Sequence, residues 1–293
     1  MKTNFAFFGT DNFSVGVLNE LKKASFRPAV IVTSPDKPKG RGLKLAPSAV
    51  KLWAIKNKVV FLQPIKLDYN FTYKLQATSY KLFIVASYGK IIPREILNIP
   101  KHGALNVHPS LLPKYRGASP IQAQILNDEK KVGVTIMLMD EKMDHGPILA
   151  SREFSIFNFQ FSNDIPTAKE LSEKLAEEGG KLLAETVPKW LAGEIKPIPQ
   201  DENQTTFCPK ITKEDGLIDL KDPPRQNFLK IQAFAGWPDA YFFAERNGKK
   251  TRVKITQATL VDSQLKIESV IPEGKKEISF AQFNADKNGA TIP

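Results

Sequence analysis

The sequence predicts an α/β protein: a Rossmann-like, mostly parallel sheet with flanking helices, followed by a small β-rich domain of the OB-like barrel kind. Three observations carry that prediction. Across residues 1–193 short apolar runs alternate with stretches of helical spacing, the pattern of strands joined by crossover helices. A Pro-rich, polar stretch over 194–207 breaks the pattern and reads as a linker. Over 208–293 short β-branched and aromatic runs follow one another with turn residues between them, which suits a small barrel. A length of 293 residues accommodates both parts.

The elements follow in order. Asn4 to Phe8 is an apolar strand and Gly9-Thr10-Asp11-Asn12 is turn chemistry; Phe13, Val17, Leu18 and Leu21 then recur at helical spacing, with Asn12 or Ser14 able to cap. Ala29 to Val32 is a second strand. Residues 33–47, with Lys37, Lys39, Arg41 and Lys44 among five Pro or Gly, suit neither core nor helix and form an exposed basic insertion. Ser48 to Lys58 is helical, with Ala49 and Trp53 on one side; Val59 to Leu62, Lys81 to Ala86 and Gly103 to His108 are strands. Ser119 to Glu129 is helical, and Val132 to Met139 is a strand with Val132, Val134, Ile136 and Leu138 on one face. Thr167 and Glu170 make a capping box ahead of a long helix, striped by Leu171, Leu175, Leu182 and Leu183 and ending near Gly193. In the second domain Leu217 to Leu220, Tyr241 to Glu245, Thr251 to Ile255, Leu265 to Val270 and Glu277 to Phe280 read as strands, with Arg246-Asn247-Gly248 as a hairpin turn.

Composition excludes several classes. With 25% charged and 10% aromatic residues the chain lacks the signature of a disordered polymer. Cys208 is the single cysteine and no Cys/His cluster has metal-ligating spacing, so neither a disulfide nor a bound metal is expected and a reducing compartment fits. The first apolar stretch is cut short at Gly9 and no run reaches the ~18 residues of a membrane span. The expectation is a cytoplasmic monomer with no membrane partner. The net charge of +11 is unevenly placed: residues 1–100 carry +11, residues 101–190 carry −1 and residues 191–293 carry +1. It peaks in the 33–47 loop. Clustered Lys and Arg suit an anionic polymer, through counterion release from phosphates, and they also serve solubility; charge alone leaves both open.

A parallel sheet binds ligands at the carboxyl ends of its strands. The turn at Gly9 lacks a GxGxxG, so a dinucleotide has no support there. Imidazole chemistry must use His102, His108 or His145. His108 ends a short strand, shares one side of it with Asn106, and is followed by a loop that two prolines stiffen. Met139 to Pro147 is a turn with Asp140, Glu141 and Asp144, and a parallel neighbour would bring it close to His108. An Asn, a His and an Asp together bind an oxyanion and move a proton, the set that acyl or formyl transfer needs without a metal. Position alone also allows a structural histidine, an asparagine serving backbone groups and solvated turn carboxylates.

The stretch Asn106-Val107-His108-Pro109-Ser110-Leu111-Leu112-Pro113-Lys114-Tyr115-Arg116-Gly117-Ala118-Ser119-Pro120-Ile121-Gln122 resembles the signature of the folate-dependent formyltransferases. Gly133-Val134-Thr135-Ile136, running on to Met139-Asp140 and Asp144-His145-Gly146-Pro147, resembles their second motif, in the same order. Gly9-Thr10, the loop Ser34 to Gly42 and the segment Pro209 to Gly216 are similar to the branch acting on methionyl-tRNA, and the likeness covers nearly the whole chain. The resemblance implies a catalytic first domain that takes a formyl group from 10-formyltetrahydrofolate, as co-substrate and without a metal, to methionyl initiator tRNA. It implies that Asn106, His108 and Asp144 are catalytic. Ser110, Leu111, Leu112 and Pro113 would line the folate site, Tyr88, Gly89, Ile91, Ile92 and Pro93 would close over the pterin, and Asp140 would lie in the opposite wall. Lys37, Lys39, Arg41 and Lys44 would meet the acceptor stem. A sugar-nucleotide N-formyltransferase would share the catalytic set, and a non-catalytic RNA-binding descendant would share the fold. The basic loop and Pro209 to Gly216 weigh against the first, and the intact set weighs against the second. Three departures stand out: Asp11 where Pro is common, His145 where Thr is common, and a second domain that is near neutral and shortened between Ala258 and Glu268.

Overall fold

The computed structural model describes residues 4–39, 42–161, 164–246, 249–285 and 290–291. In chain order the elements are β1 (Phe5–Gly9), α1 (Asn12–Lys23), β2 (Val30–Val32), β3 (Lys37–Lys39), β4 (Lys44–Ala46), α2 (Ala49–Lys56), β5 (Phe61–Leu62), α3 (Tyr69–Gln76), β6 (Leu82–Ala86), α4 (Arg94–Leu97), β7 (Ala104–His108) and β8 (Arg116–Gly117). There follow α5 (Pro120–Leu126), β9 (Lys131–Leu138), β10 (Ile148–Ser155), α6 (Ala168–Leu191), β11 (Phe207–Cys208), α7 (Pro224–Phe234), β12 (Tyr241–Arg246), β13 (Lys249–Val261), β14 (Gln264–Pro272), β15 (Ile278–Ser279), α8 (Phe280–Ala285) and β16 (Ala290–Thr291). They form two compact units, one of Met1–Gly117, Val132–Phe154 and Ser172–Phe207, the other of Ala118–Lys131, Ser155–Leu171 and Cys208–Pro293. Among the described residues no helix is long and apolar enough to cross a membrane.

The first unit is built on a seven-stranded sheet of order β10-β9-β7-β6-β1-β2-β5. Of its central strands Phe5–Gly9 and Leu82–Ala86 are continuous apolar runs, while Ala104–His108 interrupts the pattern with Asn106 and His108; every residue in all three is buried, as strands covered on both faces require. β1 pairs in parallel with β2 and β6, β6 with β7, and β2 with β5. The registers Phe8 to Val32, Gly9 to Ala86 and Val85 to Asn106 put four carboxyl ends on one edge. β9 departs from the predicted parallel neighbour: it runs antiparallel to β7, with Leu105 opposite Leu138 and His108 opposite Thr135. The 139–147 turn therefore leaves from the far end of β7 and has to fold back to reach His108.

Local chemistry sets the helices. α1 is capped by Asp11, whose side chain accepts from the Ser14 N–H, rather than by Asn12 or Ser14. Ser14 instead donates its hydroxyl to the Ala86 carbonyl, 2.6 Å away, which ties α1 to the end of β6. The capping box is present: Glu170 N–H donates to Thr167 Oγ1 at 3.2 Å and Thr167 N–H to Glu170 Oε2 at 2.8 Å. α3 and α4 sit where the sequence showed no clear stripe, and the predicted basic loop folds partly into a hairpin of β3 and β4. Arg41 lies outside the described residues.

In the second unit the strands are antiparallel in the order β15-β14-β13-β12-β16, and no pairing among the described residues closes that order into a ring. β12 and β13 pair as far as Arg246 opposite Lys249, while Asn247 and Gly248 of the predicted turn lie outside the described residues. Leu217 to Leu220, read as a strand, makes only a bridge to Tyr241. Helix α7 was not visible in the hydrophobic pattern; Pro224 opens it, and Phe228, Leu229, Ile231 and Phe234 are buried. Thr167→Ala is expected to lower the urea-unfolding midpoint by the equivalent of about 1 kcal/mol, and an unchanged midpoint would remove the capping box from the stability of α6.

Candidate active site

The strand order reverses between β1 and β6, the usual place for a ligand crevice. Here that position is laced shut by the protein's own bonds: Thr10 Oγ1 donates to the Tyr88 carbonyl at 2.9 Å, Ser34 Oγ to Thr10 Oγ1 at 3.1 Å, and Ser87 Oγ to Asp11 Oδ2 at 2.5 Å. The next ends along, those of β6 and β7, are different. The Asn106 side chain, 9% exposed, has no hydrogen-bond partner among the described residues. Nor do the backbone N–H groups of residues 89–92, in the segment after β6. Gly89 and Ile91 are exposed, but Asn106 and Ile92 are buried and an unpaired donor there is costly, so this edge carries hydrogen-bonding capacity that the described residues leave unused.

His108 stands beside them, 3% exposed at the end of β7. Its Nε2 lies 3.0 Å from the Tyr115 carbonyl. A carbonyl only accepts, so Nε2 carries a proton and donates it, which fixes the tautomer. In the neutral ring Nδ1 is then an acceptor, and it faces Asp144 Oδ1 at 3.7 Å. Two acceptors facing each other leave a place for one proton. Both partners of the ring are held in the left-handed region, Tyr115 at φ 63° and Asp144 at φ 49°, a conformation that bulky residues keep only where their surroundings impose it.

Arg116 imposes much of it. Its guanidinium, 2% exposed, donates Nε and Nη2 to Gln200 Oε1 at 3.0 and 2.9 Å, and Nη2 and Nη1 to Glu202 Oε1 and Oε2 at 2.7 and 3.1 Å. Gln200 passes the constraint on, donating its amide to the carbonyls of Asp144 at 2.9 Å and Gly146 at 2.7 Å. The Gly117 N–H donates to Asp144 Oδ2 at 2.8 Å. The hydrogen bonds from Arg116 hold the Glu202 carboxyl below the usual carboxylate range; partial desolvation opposes them, and the charges of Arg116, His145 and Lys142 assist. His145 donates Nδ1–H to Asp140 Oδ2 at 2.6 Å. His102 precedes β7, at the other end of the strand from His108, and its carbonyl accepts from the Trp190 indole.

The structure thus brings Asn106, His108 and Asp144 to one strand end. Of the positions expected to line a folate, Tyr88 and Ile92 have their side chains in the core cluster with Phe8, Phe83 and Ile96, so those side chains are taken up by packing. The Tyr88 hydroxyl is buried without a partner among the described residues, and burial pushes its ionisation up to about 12. Ser110 is likewise buried, its hydroxyl donated to the Lys114 carbonyl and its own carbonyl held by Thr135 Oγ1. Leu112 is buried as well, whereas Gly89, Leu111, Pro93, Pro113 and Asp140 keep exposed surface. Lys37 and Lys44 are exposed on the hairpin, whose register pairs Lys39 with Lys44. Sequence reading missed Arg116, Gln200, Glu202 and Thr135. Among the described residues no group of three metal-ligating side chains occurs.

Gly146 has no room for a side chain, because a Cβ there would lie 1.9 Å from the Leu138 carbonyl oxygen. Gly146→Ala is therefore expected to shift the turn and speed hydrogen exchange at the Gly117 N–H about tenfold. Unchanged exchange would mean that Gly146 does not set the position of Asp144.

Comparison with known proteins places the chain in a family. The family model described as Formyl transferase matches residues 1–187, and Formyl transferase, C-terminal domain, matches residues 210–269. The chain is 39% identical to the methionyl-tRNA formyltransferase of Thermodesulfovibrio yellowstonii, over 97% of this chain and 96% of that one. Methionyl-tRNA formyltransferase from Clostridium thermocellum shares the fold at a TM-score of 0.61 and 16% identity, over 94% of this chain and 99% of that one. So does the N-formyltransferase from Helicobacter canadensis in complex with folinic acid and dTDP-3-aminofucose, at a TM-score of 0.61 and 19% identity, over 94% and 98%. The chain belongs to the formyl transferase family, with methionyl-tRNA formyltransferases as relatives along nearly its whole length.

Proposed function

We propose that this protein transfers the formyl group of 10-formyltetrahydrofolate to the α-amino group of methionine on initiator tRNA, the cytoplasmic step that prepares that tRNA for translation initiation. The observation that carries the reading is His108, fixed by Tyr115 and facing Asp144, beside the unpartnered amide of Asn106. The folate donor fits the edge between β6 and β7. Unpaired N–H groups of residues 89–92 suit the acceptor atoms of a pterin ring, and Asn106 suits a formyl oxygen.

In the reaction Asn106 donates to the formyl oxygen as it gains negative charge. The His108 and Asp144 pair takes the proton that the attacking amine loses, in the place between Nδ1 and Oδ1, and returns it to the folate nitrogen that leaves. One C–N bond forms, one breaks, and a single proton crosses from amine to leaving nitrogen, so the balance closes without a redox step or a metal.

The acceptor is read from the relatives and from charge. Lys37 and Lys44 are exposed on a hairpin that follows β2, on the same sheet edge as His108. Lys90, in the free segment after β6, is held below its usual basicity by partial burial and by the charge of Lys37, so an anion between them would relieve both.

His108→Ala is expected to slow formyl transfer by about 10²-fold or more, while binding of the charged tRNA stays close to wild type. Comparable turnover in that variant would take His108 out of the mechanism. Offering methionyl initiator tRNA and an amino-sugar nucleotide side by side tests the acceptor; turnover confined to the sugar would overturn it. Reversing charge at Lys37 and Lys44 is expected to flatten the salt dependence of tRNA binding by about one to two units of slope, and an unchanged slope would assign the hairpin to solubility.

A further inference from the structure

We propose that His145 is a positioning residue which, in its doubly protonated form, bridges Asp140 and Glu202 and so holds the turn that carries Asp144. The inference rests on the proposed role of Asp144. The ring spans two segments: Nδ1 is 2.6 Å from Asp140 Oδ2 on its own turn, and Nε2 is 3.7 Å from Glu202 Oε1. Asp140 is braced from behind, since its Oδ1 accepts from the Lys142 N–H at 2.9 Å. Glu202 is braced by Arg116. The bridge therefore runs between two fixed carboxylates, and it meets the chain at the residue next to Asp144.

Gln200 already pins the carbonyls on either side of His145, so the backbone does not need the ring in order to fold there. What the ring adds depends on its charge. An imidazolium has a donor for each carboxylate; a neutral ring that donates Nδ1–H to Asp140 turns a lone pair toward Glu202. The remaining charged groups around the ring are Arg116 and Lys142, which act on Glu202, and Asp144 itself; Glu141 on the same turn is paired with Arg94 at 3.1 Å. The side chain is one-third exposed, open enough to exchange its proton with solvent. As pH rises and the second ring proton leaves, the link to Glu202 turns from attraction to repulsion. The turn that carries Asp144, itself held at φ 49°, then loses its tie to Glu202.

The test uses the full chain with methionyl-tRNA and the folate donor, in wild type, His145→Asn and His145→Arg. Asn keeps an uncharged donor toward Asp140 but is too short to reach Glu202, whereas Arg offers two donors at every pH. Wild-type kcat is expected to fall as pH rises through the range in which ¹⁵N spectra of the His145 ring show its second proton leaving. The Arg variant should lack that part of the fall, any fall that remains belonging to His108 and Asp144. The Asn variant should be about tenfold slower than wild type where the ring is doubly protonated and converge with it as the second proton leaves, with KM for the folate donor within about twofold of wild type and, at the lower pH, weaker hydrogen-exchange protection at the Gly117 N–H. Wild-type turnover in the Asn variant, or unchanged protection at Gly117, overturns the bridge. If wild type transfers no formyl group to methionyl-tRNA the proposed function fails, and Gly117 protection still decides the bridge.

Discussion

A guanidinium with 2% of its surface exposed cannot shed its charge, so wherever Arg116 is buried the protein must surround it with acceptors. That requirement organises the site. Gln200 and Glu202 have to come to Arg116, and with them comes a stretch of chain whose composition reads as a solvated linker. Thr206 follows, its hydroxyl accepting from the Tyr115 N–H at 2.8 Å and its carbonyl accepting from the Arg116 N–H at 2.9 Å. The residue before the arginine is fixed by one partner and the residue after it by Asp144, so the two contacts of His108 come from either side of a single buried charge.

The magnitudes say why such an arrangement holds. Left-handed backbone costs about 1–2 kcal/mol for each of Tyr115 and Asp144. Hydrogen bonds to a charged group contribute about 1.5–3 kcal/mol each, and Arg116 gives two to Gln200 alone. The anchoring exceeds the strain, and the strain is spent on aim: one residue turns its carbonyl to His108 Nε2 and the other its carboxylate to Nδ1. Without that aim the ring would be free to take the other tautomer, and the place for one proton between His108 and Asp144 would be lost.

The sequence was most legible where a single residue type decides its own surroundings. Phe5–Gly9 and Leu82–Ala86 are apolar without interruption because both faces are covered, and Thr167 with Glu170 caps α6 within one turn. Asn106, His108 and Asp144 were legible as a set for a different reason, since the motifs that carry them resemble a known family. What stayed hidden depends on partners far along the chain. A buried Arg116 looks like any surface arginine until Gln200 and Glu202, more than eighty positions later, are placed against it. The antiparallel direction of β9 is equally hidden, because Val132 to Met137 is buried on both sides and its direction leaves no mark on composition. Asp11 shows the same limit over a shorter range: three polar residues in four could cap α1, and only the bond from Ser14 to the end of β6 removes Ser14 from the choice.

Sheet topology explains how chemistry and charge come to share one edge. β2 leads into the basic hairpin and β7 ends at His108, and parallel pairing through β1 and β6 points both carboxyl ends the same way. The crevice at the reversal of strand order is occupied by the protein's own Thr10, Ser34 and Ser87 contacts, which moves the open ground one strand along, to the ends of β6 and β7. Lys90 stands between the two functions. Its ammonium is anchored on the carbonyls of Pro64 and Ile65 at 2.8 and 3.0 Å, yet it lies near enough to Lys37 for the two charges to oppose each other. An acceptor that brings phosphates to the hairpin would ease that opposition where the free N–H groups of residues 89–92 begin. The hairpin that carries Lys37 and Lys44 thus puts part of the first hundred residues' charge on the edge where β7 ends at His108.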